Sequence, residues 1–450
     1  MDFADRKLYY NRCDPSEALA PDDERNVDLD AEAVGGYRPR GVVWVERLAS
    51  EIELSDDPTC TLFTGLPGSG KSTELRRLLA HLADPQGMHL LGVLVDAERV
   101  LDLTTRVDIP DIIAAIVYAV DEKVLEAEGR QGKAALQEGY LTRLWHWLTT
   151  TDVELGEGEL AVGDAGKLVF ELKTRDSLRQ RVRRTVAANL TAFLGQAREE
   201  LVALEERARR AGWGGLIVVL DSLEKLRGVS ENWHDVLASA EQVFGRGAPY
   251  LQLPVHVIYT VPAALVARQH QGIEFMPMVK LRHRDGTVFA PGVETMRKLV
   301  HQRIPGPVLA HLLGDQARER LDELILASGG YTREVIRFLR AIVRERQHPL
   351  SQDAYERILN ELRDDYRAVV PSEAFDWLAQ VAVDRYLTIH DEEHRASADL
   401  MLLNNVVMRY MNQRDWYDLH PVVYEIPGVA EAIARARARK GEGAGGNESS

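Results

Sequence analysis

Residues 65–73 read Gly-Leu-Pro-Gly-Ser-Gly-Lys-Ser-Thr, and residues 216–224 read Leu-Ile-Val-Val-Leu-Asp-Ser-Leu-Glu. In the first stretch, Gly65, Gly68 and Gly70 permit backbone angles that turn successive N–H groups toward the inside of a loop. Such a loop receives phosphate oxygens, aided by the positive end of a following helix. The frame of Gly65, four residues, Gly70, Lys71 and Ser72 is the phosphate-loop pattern. Leu66, Pro67, Ser69 and Thr73 complete the cradle; Lys71 reaches the β- and γ-phosphates of ATP, and the Ser72 hydroxyl holds Mg2+. The second stretch ends an apolar run on a carboxylate, Asp221. Mg2+ takes oxygen ligands and keeps several waters, so Ser72 and Asp221 acting directly or through water would complete its site. Glu224 is the candidate base that orients water for hydrolysis; the same residue type also fits a surface ion pair at a helix start.

These groups need a scaffold. Thr61–Thr64 enters the loop as a strand, and Lys71 onward leaves it as a helix. "VVWVERLASEIEL" (Val42–Leu54) is a helix leading into that strand, and "HLLGVLVDAE" (His89–Glu98) is a buried parallel strand, apolar without alternation. "IPDIIAAIVYAVDEKVLEA" carries Pro110 in its first turn and helical apolar spacing. "GGLIVVLD" is a central strand that presents Asp221 at its C-terminal edge, where open α/β sheets bind ligands. "VHVIYTVP" (Val255–Pro262) is another strand, bearing Thr260, and "FMPMVKL" a last one. Strands alternating with helices indicate a parallel α/β sheet.

Residues 127–213 read as an insertion. Within it "TRLWHWLTT" is a helix, "VELGEGELAVGDAG" an acidic loop, "KLVFELK" a short strand, and Asp176–Arg210 one long amphipathic helix. Its arginines (Arg175, Arg179, Arg181, Arg183 and Arg184) suit a solvated face with local ion pairs, or a partner or nucleic acid. Toward the C-terminus, "PSEAFDWLAQVAV" and "SADLMLLNN" read as helices. "VVMRYM", the turn "NQRD" and "WYDLHPVVYEI" read as a hairpin, followed by the basic helical end "AIARARARK". "HDEEH" (His390–His394) matches a zinc-peptidase spacing but fits an exposed acidic turn better.

At 450 residues the chain is long enough for two or three domains, and 45% hydrophobic with 28% charged residues is a globular profile. Cys13 and Cys60 cannot form a disulfide framework and suggest a reducing compartment. The start, "MDFADRKLYYNRCDP", has no apolar signal core, and no later segment is long and uncharged enough to span a bilayer, so a cytoplasmic protein is expected. The net charge of −15 argues against broad binding to a phosphate backbone, which needs a basic face.

The order phosphate loop (65–73), second strand (89–98), "LIVVLD" (216–221), "VIYT" (257–260) and "SGGYTREVIRFLR" (328–340) resembles the AAA+ ATPases, and within them the STAND and origin-initiator-like branches of bacteria. The likeness covers roughly residues 40–345. It implies an α/β, parallel-sheet P-loop core with a helical lid, a largely helical insertion and a C-terminal winged-helix-like domain. By this resemblance Thr260 matches the "sensor 1" residue that feels the γ-phosphate, and Arg333 the "sensor 2" arginine of the lid. Arg268 stands where a trans-acting arginine finger belongs. The resemblance further implies a core at 41–290, a lid at 291–365 and a winged-helix-like domain at 366–438, while composition makes the polar 1–40 a strap and the Gly- and Ser-rich 439–450 a flexible tail. In the family a Glu commonly follows the Walker B Asp directly; here Ser222 follows Asp221, which implies slow turnover. "ASGGYTREV" is similar to the ABC ATPase signature, but that signature precedes the Walker B strand, so order excludes it. What the resemblance implies for function is an ATP-controlled switch or oligomerising scaffold for a partner effector in bacterial signalling or defence. The rival expectation is a DNA-associated initiator or regulator using the winged helix, which otherwise only locks the nucleotide domain.

Overall fold

The computed structural model describes residues 1–31, 37–130, 176–226, 232–268, 272–389 and 391–445. The helix, acidic loop and strand expected between 142 and 173 lie outside the described residues, as does His390. The chain separates into two compact units. One comprises Met1–Trp44, Gly65–Glu74 and Phe275–Ser450; the other comprises Val45–Thr64 and Leu75–Glu274.

Most of the sheet belongs to the second unit. Strands β1 (Cys60–Gly65), β2 (Leu90–Asp96), β3 (Gly215–Asp221), β4 (His256–Thr260) and β5 (Ile273–Met276) lie in the order β2-β3-β4-β1-β5. The pairs β2–β3, β3–β4 and β1–β4 are parallel. Every residue of β3 is buried, which is why its apolar run shows no alternation. Pairing Asp96 with Asp221 and Phe63 with Thr260 fixes which residues end at the carboxyl edge. The helix Ile109–Ala127 starts as its sequence dictates: the Asp108 side chain accepts from the Ile109 amide and Pro110 lies in the first turn. Arg207 ties Leu190–Arg210 to that helix through Glu128 (2.8 Å) and Asp121 (3.3 Å).

Two expectations are corrected here, and a third reading gains a contact. The long helix over Asp176–Arg210 is two helices, Asp176–Ala188 and Leu190–Arg210, because Asn189 leaves helical geometry at φ −131° and ψ 29°. The last strand ends at Met276, before Pro277, which cannot donate to a ladder, so "MVKL" is not strand. Within the arginine cluster, Arg183 donates to Asp111 at 2.9 Å, a local ion pair.

The first unit is largely helical. Helices Ala290–His301, Gly306–Leu313, Ala317–Ala327, Thr332–Arg344 and Gln352–Val369 are followed by Phe375–Asp384 and Glu392–Leu403. Then comes the antiparallel hairpin of β6 (Val407–Met411) and β7 (Asp415–Leu419), and last the helix Pro427–Gly445. "HPVVYEI" leaves the hairpin as a 3-10 turn, Pro421–Glu425, and the final helix runs into the stretch expected to be a tail. Asp391 caps Glu392–Leu403, accepting from the His394 amide at 2.8 Å, so "EEH" opens a helix where an acidic turn was expected. Among the described residues no cluster of three or more His, Cys, Asp and Glu side chains is placed to hold a metal ion, and no helix is long and apolar enough to cross a membrane.

The Gly329–Gly330 turn is the tightest passage in this unit. Both residues have positive φ, and a Cβ on Gly330 would sit 1.7 Å from the Val279 carbonyl oxygen. Tyr410 of β6 donates its hydroxyl to the Gly329 carbonyl at 2.7 Å, and both residues are buried. Tyr410→Phe strands that carbonyl in a dry site and is expected to cost about 1–3 kcal/mol. A lower midpoint in thermal unfolding checks it; an unchanged midpoint would mean water reaches the turn.

Candidate nucleotide-binding site

β1 ends at Gly65, and the helix Lys71–Leu82 begins at the lysine. Gly68 and Gly70 adopt φ +76° and +97°, so the glycine pattern reflects a real backbone demand. Gly65 is glycine for another reason: a Cβ there would meet the Met276 carbonyl oxygen at 2.7 Å. The Lys71 ammonium, 3% exposed, folds back to donate to the carbonyls of Gly65 (3.0 Å) and Leu66 (3.3 Å). Ser69 is also buried, and its Oγ has no hydrogen-bond partner among the described residues. An orphaned hydroxyl, a buried ammonium at the turn of the loop and a helix N-terminus together fit the phosphates of a nucleotide. A phosphate oxygen would give the Lys71 ammonium a charge-assisted hydrogen bond. Ser72 and Thr73 are half-buried in the first turn of the helix, and the Ser72 hydroxyl is the oxygen that would hold a hydrated Mg2+.

The loop is held from positions remote in sequence. Thr332 donates its hydroxyl to the Gly68 carbonyl at 2.8 Å, and the Tyr331 ring fills the place a Gly68 Cβ would need, 2.4 Å from it. Asn405, in a left-handed conformation at φ +56°, donates its side-chain amide to the Pro67 carbonyl at 3.2 Å. Arg333 follows Thr332. Its Cβ is 2.9 Å from that same Gly68 position, and its Nε donates to the Pro15 carbonyl at 3.0 Å. In the first turn after the loop Glu74 receives Arg40 at 2.8 Å, while Arg40 grips Asp30 with two bonds of 2.7 Å. Burial alone would push the Arg40 guanidinium down in pKa; the two carboxylates outweigh it and push it up, so the group stays charged.

At the carboxyl edge of the sheet, Asp221 closes β3 and Thr260 closes β4. The chain turns sharply after Asp221: Ser222 is left-handed at φ 71°, and its amide donates to the Asp221 carboxylate at 2.8 Å. Glu224 lies, 8% exposed, in the short 3-10 turn that follows. The Thr260 hydroxyl, fully buried, accepts from the Leu223 amide at 3.1 Å and reaches the Leu220 carbonyl at 3.3 Å. Thr260 thus braces the turn that carries Asp221 and Glu224. Arg268 ends the short helix Leu265–Arg268.

Sequence reasoning singled out neither Tyr331, Thr332, Asn405 nor Arg40. The Gly-Gly before Tyr331 announces a tight turn, and an Asn-Asn pair before β6 suits a left-handed residue, but neither signal says what the turn touches.

No protein-family model matches the chain, and no curated protein matches it in sequence. Among solved structures it is similar to a Walker-type ATPase of Pyrococcus abyssi, with 15% identity, a TM-score of 0.39, and 86% of this chain and 94% of that one covered. It is also similar to the ORC2 protein of Aeropyrum pernix, with 12% identity, a TM-score of 0.36, and 90% and 98% covered. For a chain of the Drosophila ORC bound to DNA the values are 10%, 0.37, and 96% and 93%. With TM-scores below 0.5, these likenesses do not assign the chain to a family. The class rests on the molecule's own features: an α/β fold whose parallel sheet feeds a phosphate-type loop, with a large helical unit.

Proposed function

We propose that the chain is an ATP-binding, slowly hydrolysing, Mg2+-dependent ATPase of AAA+/STAND type that works as a nucleotide-controlled switch or oligomerising scaffold for a partner effector. In this reading residues 291–365 are the lid and 366–438 a winged-helix-like domain. Lys71 and the loop amides bind the phosphates, Ser72 and Asp221 hold Mg2+, Glu224 orients water, Thr260 and Arg333 sense the γ-phosphate, and bacterial signalling or defence is the setting. The bound ion would shield phosphate charge during transfer. The observation that carries the reading is the pair of bonds from Thr332 to Gly68 and from Asn405 to Pro67. Phosphate entering the loop must perturb bonds that lead to the helical segment and to the hairpin. A ligand can bias an equilibrium only through such differential contacts.

A DNA-associated role has less in its support. Arg409 pairs with Asp415 and lies 4.3 Å from the Phe275 ring centroid, and Arg435 and Lys440 pair with Asp376 and Asp384. Steady-state ATP turnover with and without Mg2+, for the parent and for Asp221→Asn, tests the enzyme. The variant is expected to turn over about 10–100-fold more slowly while still binding ATP. Equal turnover would refute the role of Asp221. Mass photometry with a slowly hydrolysed ATP analogue, ADP and no nucleotide tests assembly, and identical distributions in all three would leave a monomeric switch.

A further inference from the structure

The N-terminal helix Phe3–Arg12 has no buried residue, so apolar packing does not hold it in place. Guanidinium groups do. Arg6 donates to the carbonyls of Arg344 (2.8 Å) and Glu345 (2.9 Å), at the C-terminal end of Thr332–Arg344. Arg12 donates to those of Gln302 (2.7 Å) and Arg303 (3.1 Å), just past the end of Ala290–His301. Cations are favoured at helix C-termini, where carbonyls lack partners. Arg340, on the Thr332–Arg344 helix, lies 4.2 Å from the Tyr10 ring centroid and 3.5 Å from the Asp14 carboxylate. The next residue, Pro15, is the one whose carbonyl receives Arg333.

From this arrangement we infer that residues 3–15 are a positioning strap for Arg333, setting how strongly the phosphate loop prefers ATP over ADP. Pro15 is the positioning residue, acting through its carbonyl. The inference rests on the nucleotide-site reading given above. Its physical content is preorganisation. A free arginine has many rotamers, and binding through it loses that freedom. Fixing Nε to Pro15 sets the plane of the guanidinium before any phosphate arrives, and the planar fork then presents its remaining donors in one orientation. Because Arg333 stands over Gly68, its orientation matters at the end of the loop nearest the helical segment. A strap that sets nucleotide preference through Arg333 must lose its effect on that preference when Arg333 is absent, whereas one that acted through the Thr332–Arg344 helix as a whole would keep it.

The experiment is a double-mutant cycle on the full chain, with the affinities for a slowly hydrolysed ATP analogue and for ADP measured by calorimetry in Mg2+. Arg6→Ala with Arg12→Ala releases the strap without touching the loop. The ATP-over-ADP ratio is expected to fall about 5-fold or more, the lower end of ordinary coupling between sites. Arg333→Ala should lower the ratio comparably, and adding the strap substitutions to it should change the ratio less than about twofold. A ratio unchanged by releasing the strap overturns the inference, as do falls that multiply in the triple variant, because a general loss of structure would act whether or not Arg333 is present. Should the alanine pair not fold, Arg6→Lys with Arg12→Lys is read by the same criterion, since an ammonium keeps the charge but not the fork. If the parent binds neither nucleotide, the phosphate-loop reading itself falls and this inference with it; nucleotide binding without a strap effect refutes the strap alone.

Discussion

Lys71→Ala is expected to weaken ATP binding by more than about 100-fold, roughly 3 kcal/mol, as removal of a buried partner of a charged group does. The ammonium is buried and lies on the carbonyls of Gly65 and Leu66, inside the turn of the loop. Alanine leaves incoming phosphate with backbone amides and a helix terminus but no full positive charge at that point. The loop itself should survive. Its positive-φ glycines and its bonds from Thr332 and Asn405 do not involve the lysine side chain. Calorimetry with ATP and Mg2+ on a variant shown to unfold at the parental temperature checks this. Tight ATP binding by that variant would refute the phosphate-loop assignment.

Arg40→Ala should be the most destabilising of the substitutions considered. Arg40 is fully buried, and so, to within 1% and 3% of side-chain exposure, are Asp30 and Glu74. Truncating the arginine leaves two carboxylates facing each other in a dry site, and breaking a buried pair in this way costs about 3–5 kcal/mol. For a unit of this size that is a fall in the unfolding midpoint on the order of 10 °C. Because Glu74 lies in the first turn after the loop, nucleotide affinity should fall as well. Restoring neutrality with Asp30→Asn and Glu74→Gln in the Arg40→Ala background should recover a large share of the lost stability, since the cost lies in unpaired charge. Differential scanning calorimetry of the three proteins measures the loss and the recovery. A midpoint within about 2 °C of the parent for Arg40→Ala would mean that water enters and solvates the carboxylates.

The parts of the candidate site that could be read beforehand are those whose causes are local. Gly68 and Gly70 require positive φ, Lys71 follows them at the helix start, and an apolar run without alternation ends on Asp221. Each is a demand that a few consecutive residues place on their own backbone or burial. The misreadings have local causes too. Asp176–Arg210 keeps an apolar stripe on both sides of Asn189, so periodicity could not reveal the break. Phe3–Arg12 buries nothing, so it has no apolar stripe to be seen by.

By itself, then, the sequence determined the strand–loop–helix of the phosphate site, the α/β class, the carboxylate at the end of β3 and the C-terminal hairpin. Tertiary structure alone decided what closes on the loop. Thr332 reaches Gly68 across 264 residues, Arg333 reaches Pro15 across 318, and Asn405 reaches Pro67 across 338. Hydrogen bonds of that span leave no periodicity in either partner, because each needs only one donor and one exposed carbonyl. Which carbonyl is met depends on how whole helices pack. Arg40 shows the same limit, since nothing near it in sequence distinguishes an arginine bound for solvent from one that buries between Asp30 and Glu74. Chemistry that a short segment performs on itself is written in that segment, whereas control of that chemistry by distant segments exists only once the chain has packed.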